Sequence, residues 1–307
     1  MRLLYAIYGV VRGARLGLSH EGDVDGIVSA SLFLRRYPGS VVVLAQPSHI
    51  ERGAIRWYDW VTWDFVADLP CPARARLYVD HHKTNSPGQV EVAYHDPSAP
   101  SAASLAIAAL GLEGDAVAEE LVRVANDADT GRYSLPESVA LRDAIKGAGY
   151  RGKLHIARRL AEDGLAALED SRVRRWVERG REAREAAERI ASVIEPRPVL
   201  VVEFERDLGI SYRTLCLELE KRGARELCAV IVPKGRAWRV YLGASRSSRY
   251  DCSALASRLG GGGHKFAAGA TVRSRRIFYE ALKEFLGVEE VELILVKGPG
   301  DIEAAKR

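Results

Sequence analysis

Arg15-Leu16-Gly17-Leu18-Ser19-His20-Glu21-Gly22-Asp23-Val24-Asp25-Gly26 is a short apolar run that breaks into a polar, glycine-punctuated turn, and the helical pattern Gly26–Arg36 follows at once. A buried strand feeding a helix through such a turn opens a parallel α/β sheet. The pattern recurs. Apolar runs at Arg15–Ser19, Val41–Ala45, Trp60–Trp63 and Leu77–Val79 predict strands. Gly26–Arg36, Ser101–Leu110, Gly114–Ala128, Ser138–Lys146 and Leu154–Leu168 predict helices. Short continuous apolar strands separated by helices describe a parallel sheet covered on both faces.

Beyond this half, Arg172–Glu195 predicts one long helix, with Val173, Val177, Ile190 and Ile194 on an apolar stripe and Arg181–Glu185 and Arg184–Glu188 as i,i+4 pairs. Interleaved acids make this a solvated connecting helix rather than a nucleic-acid patch, and Pro196 and Pro198 end it. A second α/β unit follows. Strands are expected at Val199–Phe204, Leu227–Val232, Ala237–Leu242, Gly269–Val272 and Val291–Val296, with helices at Tyr212–Lys221, Cys252–Leu259 and Arg276–Phe285. The polar tail Lys297–Arg307 is expected to fray.

Composition agrees with two domains in 307 residues, at about 150 residues per domain. Hydrophobic residues at 47% and charged residues at 28% exclude a disordered chain. Four dispersed cysteines with no CxxC pair exclude a disulfide scaffold and a thiolate zinc module, and suit a reducing cytoplasm. No apolar stretch approaches the roughly 18 residues of a membrane span. The run Leu3–Val11 lacks a cleavage site, since Arg12 and Arg15 stand where small residues belong. The scarcity of Asn, Gln and Met fits a thermophile. A net charge of +4 neither requires nor excludes a nucleic-acid partner.

The chemistry gathers at the strand ends. His20, Asp23 and Asp25 follow the first strand, Asp64 follows Trp60–Trp63, and Asp80-His81-His82 follows Leu77–Val79. Ligands of parallel sheets bind outside the carboxyl ends of strands, so these side chains converge on one crevice. Asn126-Asp127-Ala128-Asp129-Thr130-Gly131 ends a helical run and can reach it. So many close carboxylates repel unless protonated or neutralised by cations. Asp oxygens and His nitrogens without thiolate suit Mn²⁺, and less selectively Mg²⁺, Zn²⁺ or Fe²⁺. Two ions roughly 3.5–4 Å apart, bridged by one carboxylate, would hydrolyse a phosphoester or phosphoanhydride. In the second unit Gly260-Gly261-Gly262-Gly263-His264-Lys265 offers a glycine nest for an anion, and Ser245-Arg246-Ser247 adds a guanidinium. Trp57, Tyr58, Trp60 and Trp63 are read as core aromatics before base-stacking ones.

These motifs, spanning about residues 19 to 270, resemble the DHH phosphoesterase superfamily in its nanoRNase and RecJ-like branch. Asp80-His81-His82 is the eponymous triplet, Asp129-Thr130-Gly131 a further motif, and Gly260–His264 the glycine loop of the associated C-terminal domain. The resemblance implies a metal-binding catalytic domain over 1–170, a connecting helix over 171–196 and a substrate-binding domain over 197–307. The active site is then expected in the cleft between them. One metal is implied at His20, Asp23 and Asp64, and a second at Asp25, Asp64, His81 and Asp129, with Asp64 bridging. His82 then faces the scissile phosphate as electrophile or proton donor, and Asp80 orients a histidine. Arg246, Ser247, Gly261, Gly262, Gly263 and His264 grip substrate phosphate. Two features depart from the family pattern. The His20–Asp23 spacing is one residue shorter than in many members, and Asp68 competes with Asp64, which is preferred because it directly follows the apolar strand.

The activity implied is a cytoplasmic, Mn²⁺-dependent phosphodiesterase acting on short single-stranded RNA or DNA, with no membrane partner and with a homodimer allowed for. Its rivals are a 3′-phosphoadenosine-5′-phosphate phosphatase, a cyclic-dinucleotide phosphodiesterase and, less attractively, a pyrophosphatase. A metal-free DHH scaffold subunit is the alternative from another class. The intact set of ligand positions speaks against it.

Overall fold

The apolar runs of the first half assemble as a sheet of five parallel strands. The computed structural model describes residues 1–51, 57–298 and 300–307, and the chain divides into two units, Met1–Arg181 and Glu182–Arg307. In chain order the first unit contains α1 (Arg2–Val11), β1 (Leu16–His20), α2 (Val24–Arg36), β2 (Val41–Ala45), α3 (Pro47–Glu51), β3 (Trp63–Ala67), β4 (Ala75–Asp80) and β5 (Val90–His95). Helices α4 (Ala102–Ala109), α5 (Ala116–Asp129), α6 (Pro136–Gly147) and α7 (Tyr150–Asp163) follow, and α8 (Ser171–Val193) runs across the division.

The strand order is β2-β1-β3-β4-β5, with every pair parallel. This order reverses direction at β1 and β3, the topological switch point beside which parallel sheets bind ligands. One face of the sheet packs α2, α4, α5 and α7 through Phe33, Phe65, Leu121, Ile156 and their neighbours. The other face buries Leu18, Val43, Trp63, Val66, Leu69 and Tyr78. Gly26 lets α2 start hard against β1, because a Cβ there would meet the His20 carbonyl oxygen at 2.3 Å. That close approach aims the first turn of α2, with Asp23 as its cap, at the end of β1.

The expected strand at Trp60–Trp63 is displaced. Trp57–Trp60 forms a 3₁₀ turn, and the strand is Trp63–Ala67. Trp63 and Tyr58 are buried in the core, whereas Trp60 is 69% exposed. In this unit three further elements were not expected: α1, the short α3, and the edge strand β5, in which most residues are exposed.

The second unit contains β6 (Val199–Phe204), α9 (Tyr212–Arg222), β7 (Leu227–Lys234), β8 (Ala237–Gly243), α10 (Cys252–Arg258), β9 (Gly262–His264), β10 (Ala267–Val272), α11 (Arg275–Leu286), β11 (Glu292–Gly298) and β12 (Asp301–Lys306). They form a mixed sheet in the order β12-β11-β6-β7-β8-β10-β9. The tail expected to fray instead contributes β12, which pairs antiparallel with β11 from Glu292↔Lys306 onward; residue 299 lies outside the described residues. Among the described residues no helix is long and apolar enough to cross a membrane.

Candidate metal centre

Parallel register decides which side chains meet. Ser19 pairs with Ala67, and Ala67 pairs with Val79, so the next residues along each strand, His20, Asp68 and Asp80, stand level at the carboxyl ends. Asp68 has a φ of 56°, in the left-handed region that Asp tolerates better than most residues. This conformation turns the chain back directly after β3 and leaves the carboxylate buried in the crevice. One Asp68 oxygen lies 3.2 Å from His20 Nδ1, and the other lies 3.4 Å from His82 Nδ1.

Two sets of ligands flank this carboxylate. In the first, His20 Nδ1 faces Asp23 Oδ2 at 2.9 Å as well as Asp68. In the second, His81 Nε2 faces Asp129 Oδ2 at 3.4 Å and Asp25 Oδ2 at 3.7 Å. Asp68 also lies within one coordination sphere of His81 and His82. Asp25 is fixed by the first turn of α4, where the N–H groups of Ala102 and Ala103 each donate to one of its oxygens at 2.8 Å. Asp129 comes from the last residue of α5, with Gly131 at φ 73° turning the chain away.

Asp80 plays a different part. It is wholly buried and accepts from Tyr78 Oη at 2.6 Å, Asn85 Nδ2 at 2.5 Å, the backbone N–H of His81 at 2.7 Å and His82 Nδ1 at 2.8 Å. Its oxygens are saturated by protein donors, so it orients the following histidines instead of facing the crevice. Tyr78 and Asn85 were not singled out from sequence, where nothing separates them from a core tyrosine and a turn asparagine.

Asp64, expected to bridge, is not in the cluster. Phe65 pairs with Gly17, which sets Asp64 level with Leu16 at the opposite end of the sheet, about 13 Å upstream at 3.3 Å per residue. There it accepts from the Leu16 N–H at 2.8 Å and from Arg76 at 3.1 Å. Reading the strand four residues early made Asp64 look like its exit; Asp68 occupies that place. Asp127, the rival of Asp129, is likewise excluded by geometry, because Ser134, Leu135 and Ser138 donate to both of its oxygens.

The electrostatics are those of a cation site. Burial, then the neighbouring Asp68 and Asp129, raise the Asp25 carboxyl well above its ordinary value. Burial and Asp23 push Asp68 up to about 6, and burial raises Asp129. For Asp23, burial works upward but the His20 ring outweighs it and holds the group low. Burial would lower the His20 pKa, yet Asp23 and Asp68 keep it well above the usual imidazole range. The hydrogen bond to Asp80 raises His82 to about 9.

His81 supplies the test of fit. Its Nδ1 lies 3.2 Å from the Ala99 carbonyl, which can only accept, so Nδ1 carries the hydrogen and Nε2 is the nitrogen that a neutral ring offers to an ion. That buried Nε2 has no hydrogen-bond partner and points at two carboxylates. An imidazole nitrogen aimed between two carboxylates fits a bound cation, and Asp/His donors without sulfur suit Mn²⁺ or a similar divalent ion.

In the second unit the glycine run is not an open nest. Gly262–His264 is an edge strand on β10, with His264 opposite Ala267 and Gly262 opposite Gly269. A Cβ on Gly261 would meet the Gly269 carbonyl oxygen at 2.2 Å, and one on Gly263 the Ala267 oxygen at 2.5 Å, so these glycines permit close pairing. Arg246 and His264 are both exposed. They lie at one end of the second sheet, because β8 ends at Gly243 opposite Ala267, which pairs in turn with His264. Ser247 Oγ is occupied with Ser245 Oγ at 3.0 Å.

No family model matches the chain, and no curated protein matches its sequence. Solved structures do. A pGpG-specific phosphodiesterase, PggH from Vibrio cholerae, aligns with a TM-score of 0.61 and 18% identity over 89% of this chain and 99% of its own. RecJ from Thermus thermophilus in complex with Mn²⁺ aligns at 0.59 and 18% identity over 97% of this chain, which spans 57% of RecJ. A DHH domain described as a member of the S1p family of ribosomal proteins aligns at 0.53 and 14% identity, covering 94% of this chain and 90% of that one.

Two outcomes follow from this geometry. Asp68→Asn should weaken Mn²⁺ binding, read by calorimetric titration, by at least about tenfold, whereas Asp64→Asn should leave it unchanged; the opposite pattern would return Asp64 to the centre. Without metal, the raised pKa values of Asp25, Asp68, Asp129, His20 and His82 mean that the native state binds more protons than the unfolded one. Their contribution to stability therefore falls as pH rises from about 4 to about 9. Asp23 and Asp80, held low, act in the opposite sense, but only below about pH 4. Mn²⁺ replaces the bound protons, so its increment in melting temperature should be larger at about pH 8 than at about pH 5.5; equal increments would place the ion elsewhere. In fold, then, the chain is similar to a pGpG-specific phosphodiesterase, to RecJ and to a DHH domain.

Proposed function

We propose that the chain is a divalent-metal-dependent phosphodiesterase that hydrolyses short single-stranded oligonucleotides, linear dinucleotides among them. The observation that carries this is the buried Asp68 carboxylate, with one oxygen turned to His20 and the other to His82, between two groups able to hold a cation. His20, Asp23 and Asp68 would hold one ion, and Asp25, His81 and Asp129, with Asp68 between, a second. Divalent ions there supply a water ionised at neutral pH and positive charge against the phosphoryl oxygens.

The chain's own residues supply the rest. Asp80 accepts the His82 Nδ1 hydrogen, which leaves Nε2 as the nitrogen that meets substrate on a side chain 38% exposed. His82 Nε2 contacts the phosphoryl group and delivers a proton to the departing oxygen. Buried Asp80 stays ionised, held low by its donors from His82, Tyr78 and Asn85 although burial opposes this, and so keeps the ring both oriented and charged. Arg246 and His264 bind substrate phosphate through charge-assisted contacts.

A short substrate is supported by the likeness to PggH, a pGpG-specific phosphodiesterase that aligns over 99% of its own length. A modest net charge of +4 also suits a small polyanion gripped locally better than a long strand coated along a basic face.

A Mn²⁺ assay over a 5′-labelled linear dinucleotide, longer RNA and DNA single strands, 3′-phosphoadenosine-5′-phosphate, a cyclic dinucleotide and pyrophosphate tests the proposal. The dinucleotide should give a kcat/KM at least about tenfold above that of any longer strand, and His82→Gln should lower kcat by about 10²-fold or more at unchanged metal content. Preference for the nucleotide phosphate or pyrophosphate, or no hydrolysis at all, would contradict it.

A further inference from the structure

On the footing that the cluster is a metal centre, we propose that Gln46 is a positioning residue that decides which nitrogen of His20 is free to bind the ion. Imidazole presents a metal with whichever nitrogen lacks a hydrogen, and the partner of the other nitrogen makes that choice. His20 Nε2 faces Gln46 Oε1 at 3.2 Å, while Nδ1 faces Asp23 and Asp68. An amide is ambiguous by itself, since turning it over exchanges acceptor for donor. Here the next residue removes the ambiguity.

Gln46 Nε2 lies 3.2 Å from Glu21 Oε1. A carboxylate only accepts, so the amide must turn its NH₂ to Glu21 and its oxygen to His20. Glu21 is buried, and Arg2 donates to its other oxygen at 2.6 Å. Arg2 is itself placed from α1 by a 2.8 Å bond to the Leu44 carbonyl and by lying 4.8 Å over the Tyr150 ring. The backbone sets the spacing. His20 pairs with Ala45, the Glu21 N–H donates to the Ala45 carbonyl at 2.9 Å, and the Gln46 N–H donates to His49 Nδ1 at 2.9 Å. The hydrogens of Arg2 and Gln46 thus converge on Glu21, the His20 Nε2 hydrogen points to Gln46, and Nδ1 is the nitrogen left to offer an ion its lone pair beside Asp23 and Asp68.

The relay works as a unit, so a substitution that keeps a donor facing an acceptor at each contact should keep the site. Gln46→Met preserves length but removes the acceptor and the donor together. Exchanging the two residues, E21Q with Q46E, keeps an acceptor at His20 and a donor between the pair. In the exchanged protein the amide at position 21 would give its NH₂ to the carboxylate at position 46 and its oxygen to Arg2. Mn²⁺ titration calorimetry on the full chain should show about 10-fold to 100-fold weaker binding for Gln46→Met and recovery to within about threefold of wild type for the exchange. The melting temperature of the metal-free variants guards against simple unfolding. Long-range ¹H–¹⁵N spectra of histidine-labelled protein, with Zn²⁺ as the diamagnetic probe, should show the His20 hydrogen on Nε2.

Wild-type affinity in Gln46→Met, no recovery in the exchange, or a His20 hydrogen on Nδ1 would overturn the role of Gln46 while leaving the metal centre intact. A wild-type protein that binds no Mn²⁺ would remove the metal centre itself, and this inference with it.

Discussion

Asp68 is buried at the end of β3 with its two oxygens turned to histidines from different strands, and much of the first unit serves to keep it there. Its left-handed backbone ends the strand at the point where its carboxylate reaches both neighbours. The register β1–β3–β4 brings His20 and Asp80 level with it, and Gly26 lets α2 press Asp23 and Asp25 toward the same crevice. Five carboxylates and three imidazoles held this closely cannot all take their ordinary charges. Without an ion the protein therefore carries the electrostatic strain of a cation site, and a divalent ion is the natural relief.

The side chains behind the cluster make its geometry definite. Asp80 uses all of its acceptor capacity on Tyr78, Asn85 and the two histidines after it. Ala99 fixes the His81 ring and Gln46 the His20 ring, so the groups that aim the ligands lie on loops and strands other than those carrying them. Such partners determine a tautomer without touching an ion.

Much of this was legible in the sequence because parallel strands are short apolar runs whose polar exits are conspicuous. Val41–Ala45 and Val199–Phe204 can be read to the residue. The pairs Asp23/Asp25 and His81/His82 and the residue Asp129 are recognisable as a set. The error at Asp64 has a physical cause. A carboxylate next to an apolar run normally marks a strand's end, but Asp64 sits at the strand's start, where Leu16, Arg76 and Arg15 stabilise it, and Phe65-Val66-Ala67 continue inward. Edge strands β5, β9 and β12 escaped because exposed or glycine-rich strands carry no apolar period. Gln46 and Asn85 were illegible for another reason: their roles come from the folded arrangement of their partners, and amide side chains signal nothing locally.

On this reading Asp68, and not Asp64, joins two cation positions. Anomalous diffraction at the manganese edge, from crystals grown with Mn²⁺, examines it most directly. Two peaks per chain are expected, one bounded by His20, Asp23 and Asp68 and the other by Asp25, His81 and Asp129, with Asp68 between them. A peak beside Asp64 and Arg76, or no peak within the cluster, would contradict it.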